Sequence, residues 1–149
     1  MVENKIEIRE IIYNSEAYRN ELELRDKVLR QPLGISLYDE SLEADRNDYH
    51  IGAYLNDRVV GVMILTRLNT DEVKMRQVAV DENLRNKKTG SKMVLYAEQY
   101  AISMGYSTVV LHARETAVVF YEKLGYEKSG KVFLEINIPH YKMCKRLHS

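Results

Sequence analysis

The stretch Gln77-Val78-Ala79-Val80-Asp81-Glu82-Asn83-Leu84-Arg85-Asn86-Lys87-Lys88-Thr89-Gly90-Ser91-Lys92-Met93 decides the fold. Its first residues close the segment Val73 to Val80, which reads as a strand, and a polar basic segment follows from Asp81 to Thr89. Met93, Tyr96, Ala97, Tyr100, Ala101 and Met104 then recur at helical spacing, and Gly105 stands where a C′ glycine closes a helix. Beyond it, Ser107-Thr108-Val109-Val110-Leu111-His112-Ala113 reads as a buried strand. A helix that joins two strands needs a crossover, which predicts parallel pairing.

Upstream, Ile6 to Tyr13 begins in alternation and predicts a first strand. Ser15 reads as an N-cap for a helix marked by Tyr18, Leu22, Arg25, Val28 and Leu29, which Pro32 and Gly34 terminate. From Ile35 to Asp48 acids dominate, as in a loop or short solvated helix. Tyr49 to Leu55 and Arg58 to Leu68 read as a hairpin, because Asn56-Asp57 tolerates the positive φ of a tight turn. Val59 to Leu65 is apolar on both faces, as a central strand covered by helices is. Downstream, a short helix over about Thr116 to Leu124 ends at Gly125. Strands near Tyr126 to Leu134 and His140 to Leu147 follow, with Asn137-Ile138-Pro139 between them. The order predicts an α/β (α+β) chain with a mixed, mostly antiparallel sheet of about seven strands flanked by helices.

The 149 residues, 45% hydrophobic and 30% charged, fit one globular domain over residues 1–149 and exclude disorder and collagen. Twenty-two basic against 22 acidic side chains leave no global field for nucleic acid or an anionic membrane. A lone Cys144, a charged beginning and no apolar run of about 18 residues predict a cytoplasmic protein. No His, Cys, Asp and Glu set has metal-ligand spacing, so no metal is expected.

Within this neutral chain Arg85, Lys87, Lys88 and Lys92 fall within eight residues, and no acid occurs between Asn83 and Ala97. The cluster sits at a helix start, where unpaired N–H groups and the macrodipole favour an anion. Gly90 permits close backbone approach, and Thr89 and Ser91 add hydroxyl donors. A diphosphate fits this chemistry. A Walker loop does not, because the upstream glycine is missing; nor does a dinucleotide fingerprint, which needs three glycines where there is one.

The same run resembles the acyl-CoA-binding motif of the GNAT superfamily of N-acyltransferases, which reads strand, Arg/Gln-x-x-Gly-x-Gly/Ala, helix. Ala117-Val118-Val119-Phe120-Tyr121-Glu122-Lys123-Leu124-Gly125-Tyr126 resembles the family's second signature, and the ending Phe133 to Met143 is similar to the ElaA-like branch. The resemblance covers nearly the whole chain. In one departure, Lys88 stands where the family pattern has its first glycine; a left-handed conformation there would cost a non-glycine residue about 1–2 kcal/mol.

The resemblance implies acetyl-CoA as cofactor and N-acetyl transfer to a primary amine of a small molecule or peptide in a ternary complex. It implies that the strands ending at Val80 and Ala113 splay to admit the pantetheine arm. Backbone of Val78, Ala79 and Val80 would face that arm, and backbone of Arg85, Asn86, Lys87, Lys88, Thr89, Gly90 and Ser91 would hold the diphosphate. Tyr121 matches the family's general acid toward the leaving thiolate. His140 is the first choice of base, since imidazole titrates near neutrality; His112 and Glu135 stand as alternatives. Helix one, the acidic loop around Asp39 to Asp48 and the final hairpin would line the acceptor side, whose acids suggest a cationic amine. Dimers are common in such families, so a homodimer is admitted. A CoA-binding regulatory domain without turnover, or a phosphate-recognising interaction domain, are the competing classes.

Overall fold

The computed structural model describes residues 5–148; of residues 85–87 it describes the backbone only. Strand β1 (Ile6–Ile11) leads into helix α1 (Glu16–Leu29). The Ser15 Oγ accepts the Tyr18 N–H at 3.2 Å, with Glu16 in the first turn and Lys27 in the last. Three 3₁₀ turns occupy residues 31–33, 37–39 and 43–47, the first where Pro32 and Gly34 end the helix and the other two where the sequence predicts a loop or short helix. Strands β2 (Tyr49–Leu55), β3 (Arg58–Arg67) and β4 (Glu72–Val80) then form an antiparallel meander. Asn56 and Asp57 both take positive φ, 51° and 65°, as a type I′ turn requires.

Helix α2 (Thr89–Ser103) crosses to β5 (Thr108–Arg114), a 3₁₀ turn leads into α3 (Val118–Lys123), and β6 (Glu127–Glu135) and β7 (Ile138–Arg146) close the chain. The sheet order is β1-β2-β3-β4-β5-β7-β6, seven strands in which β4 and β5 pair in parallel and the other neighbours antiparallel. The final turn differs from expectation. It falls at Ile136-Asn137, with φ 52° and 58°, and Ile138 and Pro139 belong to β7. Pairing of β7 with β5 starts only at His140, so the missing Pro139 N–H costs no bond on that side.

Helices cover both sheet faces. Met93, Val94, Ala97 and Ala101 of α2, with Val118 and Tyr121 of α3, pack on Val60, Met63 and Leu65. Tyr18, Leu22 and Leu24 of α1 pack on Val59, Val62 and Ala79. This explains why β3 is apolar on both sides. Met104, expected in the apolar stripe of α2, is half exposed at its C-cap, and Val94 is buried instead. Among the described residues no helix is long and apolar enough to cross a membrane.

Candidate active site

The β4–β5 ladder runs from Glu72↔Thr108 to Met75↔Leu111 and stops there. Past that point β4 keeps its β3 partner, Val62↔Ala79 and Gly61↔Val80, but a bulge at Gln77, whose φ is +53°, turns the strand away from β5. β5 continues along β7 to Arg114↔His140. The gap between the parted strands opens into a cleft of about 640 Å³. One wall is the end of α1, with Val28, Leu29 and Arg30; the other holds Tyr121 of α3 and the tip of the β6–β7 hairpin. The splay that the resemblance implies is therefore present.

Of the cofactor positions expected from sequence, Val78, Val80, Lys88, Gly90 and Ser91 line this cleft. Ala79 and Thr89 do not: the Ala79 side chain is buried against α1 in the opposite layer, and Thr89 is fully buried. The side chains of Arg85, Asn86 and Lys87 lie outside the described residues; their backbone forms a 3₁₀ turn over Glu82–Lys87, capped where the Asp81 carboxylate accepts the Asn83 N–H at 3.0 Å. Lys88 follows with φ 61° and ψ 19°, the left-handed conformation that a glycine adopts without cost. Its side chain is exposed. Thr89, the first residue of α2, is fully buried, and among the described residues its Oγ1 has no hydrogen-bond partner. A Cβ on Gly90 would lie 3.3 Å from Phe120 Cζ, so glycine lets the start of α2 approach α3. A left-handed bend at Lys88 and the unpaired N–H groups of a helix start, with Gly90 and Ser91 in the cleft wall, make a set of donors that fits a diphosphate.

Tyr121 and His140 face the same cleft. Tyr121 packs edge-on to Phe120 and Tyr126, and burial pushes its hydroxyl up to about 12, so it keeps its proton near neutrality. The His140 Nδ1 lies 2.7 Å from the Ile138 carbonyl oxygen, which only accepts. Nδ1 therefore carries hydrogen, and in the neutral ring Nε2 holds the lone pair.

Folding brings His112 and Glu135 beside His140. Glu135 Oε1 lies 2.9 Å from His112 Nδ1, and Glu135 Oε2 lies 3.6 Å from His140 Nε2. Burial pushes the Glu135 carboxyl up, but the His112 hydrogen bond and the charges of His112, His140 and Lys74 outweigh it and hold the group below the usual carboxylate range. Burial lowers Lys74, whose Nζ is 3.4 Å from His112 Nδ1.

The acids of the loop do not line this cleft. Asp39 and Glu40 edge a separate shallow depression, Glu40 pairs with Arg30, Asp45 is buried beneath α1, and Asp48 is buried near Arg76. Glu135 is the one carboxylate in the lining among the described residues. Among the wall residues to which the sequence assigns no role are Arg76 and Arg114, Gln77 at the bulge, and Arg30, which donates to Gln77 Oε1 at 3.3 Å. The positive φ of Gln77 has no compositional signature, and Arg30 lies just past the end of α1.

Spacing along the chain predicts no metal set, yet Glu21, Asp45 and His50 converge with potential ligand atoms within 4.8 Å of one another. Those atoms are already engaged. Arg25 reaches Glu21 at 3.0 Å and Asp45 at 2.7 Å, the Tyr18 hydroxyl donates to Asp45 at 2.6 Å, and His50 binds the Asp45 carbonyl at 2.7 Å and Glu21 at 2.8 Å. A guanidinium in their midst makes this an ion-pair network that ties α1 to the 3₁₀ segment and β2. Cys144 sits on β7, half-buried and outside the cleft lining.

The profile of the acetyltransferase (GNAT) family matches residues 13–126. The chain is 29% identical over 136 residues to the uncharacterised N-acetyltransferase YjcF of Bacillus subtilis, covering 91% of this chain and 96% of that one. Its fold is similar to that of Escherichia coli ElaA, with a TM-score of 0.81 at 23% identity, covering 95% of this chain and 99% of that one. It is similar also to an aminoglycoside 6′-N-acetyltransferase solved with coenzyme A, with a TM-score of 0.79 at 21% identity, covering 95% and 97%.

Proposed function

We propose, from the premise that the chain belongs to the acetyltransferase (GNAT) family, that it moves an acetyl group from acetyl-CoA to a primary amine of a small molecule or peptide by direct attack in a ternary complex. It is an acyl-CoA-dependent N-acetyltransferase with acetyl-CoA as cosubstrate. The observation that carries the finer reading is the parting of β4 from β5 past Met75 and Leu111, with Tyr121 and His140 facing the one cleft it opens.

The thioester, when bound, supplies an activated acetyl carbonyl. The chain's own groups do the rest. Backbone N–H groups from Lys88 to Ser91 hold the diphosphate; the β4 edge at Val78 to Val80 receives the pantetheine arm. His140 Nε2 takes a proton from the acceptor's ammonium form, which frees the nitrogen lone pair for attack. The Tyr121 hydroxyl gives its proton to the departing sulfur and is restored by the second proton that the attacking nitrogen sheds; a phenol raised to about 12 by burial is protonated near neutrality and can donate as charge develops. Holding both reactants in one cleft supplies the orientation that the bimolecular reaction lacks in water.

Thiol release from acetyl-CoA across a panel of primary amines tests this. Tyr121→Phe is expected to cut turnover about 10²-fold or more while sparing acetyl-CoA affinity. Unchanged turnover removes Tyr121 from the mechanism.

A further inference from the structure

Three adjacent strands bring one acidic and two imidazole side chains to a single sheet face. The tight turn at Ile136-Asn137 sets Glu135 opposite Ile138, so Glu135 and His140 are diagonal neighbours across the hairpin. On the other side of β7, Arg114 lies opposite His140, which makes His112 the matching diagonal neighbour on β5. Phe133 packs against both imidazoles, with ring centroids 5.0 Å from His112 and 6.0 Å from His140.

The roles of these atoms are unequal. Glu135 Oε1 is committed to His112 Nδ1 at 2.9 Å, and His140 Nδ1 to the Ile138 carbonyl at 2.7 Å. That leaves Glu135 Oε2 and His140 Nε2, both acceptors when the imidazole is neutral, facing each other at 3.6 Å, beyond hydrogen-bond length. Two acceptors so placed repel each other unless Nε2 takes a proton, which makes the contact an ion pair, or a donor with two N–H groups stands between them. An alkylammonium is such a donor, because one nitrogen fits within hydrogen-bond distance of both atoms. The Glu135 side chain is 42% exposed, whereas His140 is only 7% exposed. Both side chains line the cleft, so an amine that enters it reaches the pair.

We infer that Glu135 and His140 form a two-pronged dock for the acceptor's ammonium group, so that the substrate class is aliphatic amines bound as cations. This rests on the acetyl-transfer reading above and adds to it a residue that selects the acceptor. The ammonium donates one N–H to Glu135 Oε2 and another to His140 Nε2. The proton on the second bond moves to Nε2, leaving a neutral amine with its lone pair free and an imidazolium beside a carboxylate. Charge is conserved throughout, because the cation passes from substrate to His140 while Glu135 stays ionised. His112 of β5 and Lys74 of β4 are the other charged or titratable groups facing Glu135; both favour its ionised form.

Steady-state acetyl transfer to tyramine, putrescine and the neutral arylamine p-anisidine, with acetyl-CoA binding followed by calorimetry, tests the dock. Glu135→Gln is expected to raise KM for tyramine and putrescine tenfold or more. KM for p-anisidine and the affinity for acetyl-CoA should stay within twofold, and Glu135→Asp should recover most of the loss. An unchanged KM for the aliphatic amines, or an equal rise for p-anisidine, would overturn the dock. If the wild-type chain binds acetyl-CoA yet releases no thiol with any amine, the acetyl-transfer reading falls and the dock with it.

Discussion

Replacing Lys88 with glycine isolates the one departure from the diphosphate-binding motif. Lys88 holds φ 61° and ψ 19°, and among the described residues its exposed ammonium has no ion pair. The left-handed conformation costs a residue with a Cβ about 1–2 kcal/mol, and glycine removes that cost. Against it stands the extra freedom of glycine in the unfolded chain, about 0.4–1 kcal/mol. The balance is a gain of roughly 0–1.5 kcal/mol, a rise in Tm of up to about 5 °C for a chain of this length. Thermal unfolding with and without acetyl-CoA reads both halves of the prediction. Ligand at 100 times its Kd adds about 2.7 kcal/mol to either protein if affinity is unchanged. Lys88→Gly should therefore show an equal or larger ligand-induced shift on a baseline that is equal or higher. A lower baseline would mean that the left-handed bend carries no strain. A tenfold loss of affinity, about 1.4 kcal/mol, would mean that the lysine ammonium itself grips the phosphate.

Two further substitutions probe the neighbouring parts. Thr89→Val removes a buried hydroxyl that has no partner among the described residues, so the free protein should be as stable or up to about 1 kcal/mol more stable; thermal unfolding checks it, and a clear loss of stability would contradict it. His50 is pulled down by burial, but the hydrogen bond and charge of Glu21, with the Asp45 contacts, leave it raised above 6.5. A raised folded-state value gives stability that is complete below about pH 6.5 and lost as pH climbs through the folded value. The Tm advantage of the wild-type chain over His50→Asn should accordingly shrink as pH rises from 6 to 9; a constant or growing gap would contradict it.

What was legible in the sequence were features written in local chemistry. Asn56-Asp57 announced its turn because few residue pairs accept two positive φ values, and the strand, basic bend and helix around Gly90 announced an anion site because helix starts attract anions. Lys88 stood out because it occupies a glycine position, and the backbone there is left-handed. What was not legible depends on register. The union of Glu135, His112 and His140 needs three strands aligned side by side, and a turn placed at Asn137-Ile138-Pro139 instead of Ile136-Asn137 hides the diagonal that joins the first and last. The acids of residues 39–48 resembled a solvated or substrate-facing surface. In the fold Asp45 turns inward to Arg25 and Tyr18, partners 20 and 27 residues away that a local pattern does not reveal.

A crystal structure with coenzyme A bound tests the central claim most directly. The account predicts the diphosphate on the backbone of residues 88–91, the pantetheine arm between the parted ends of β4 and β5, and the sulfur within hydrogen-bonding reach of the Tyr121 hydroxyl. Coenzyme A seated elsewhere, or with its sulfur turned away from Tyr121, would contradict it.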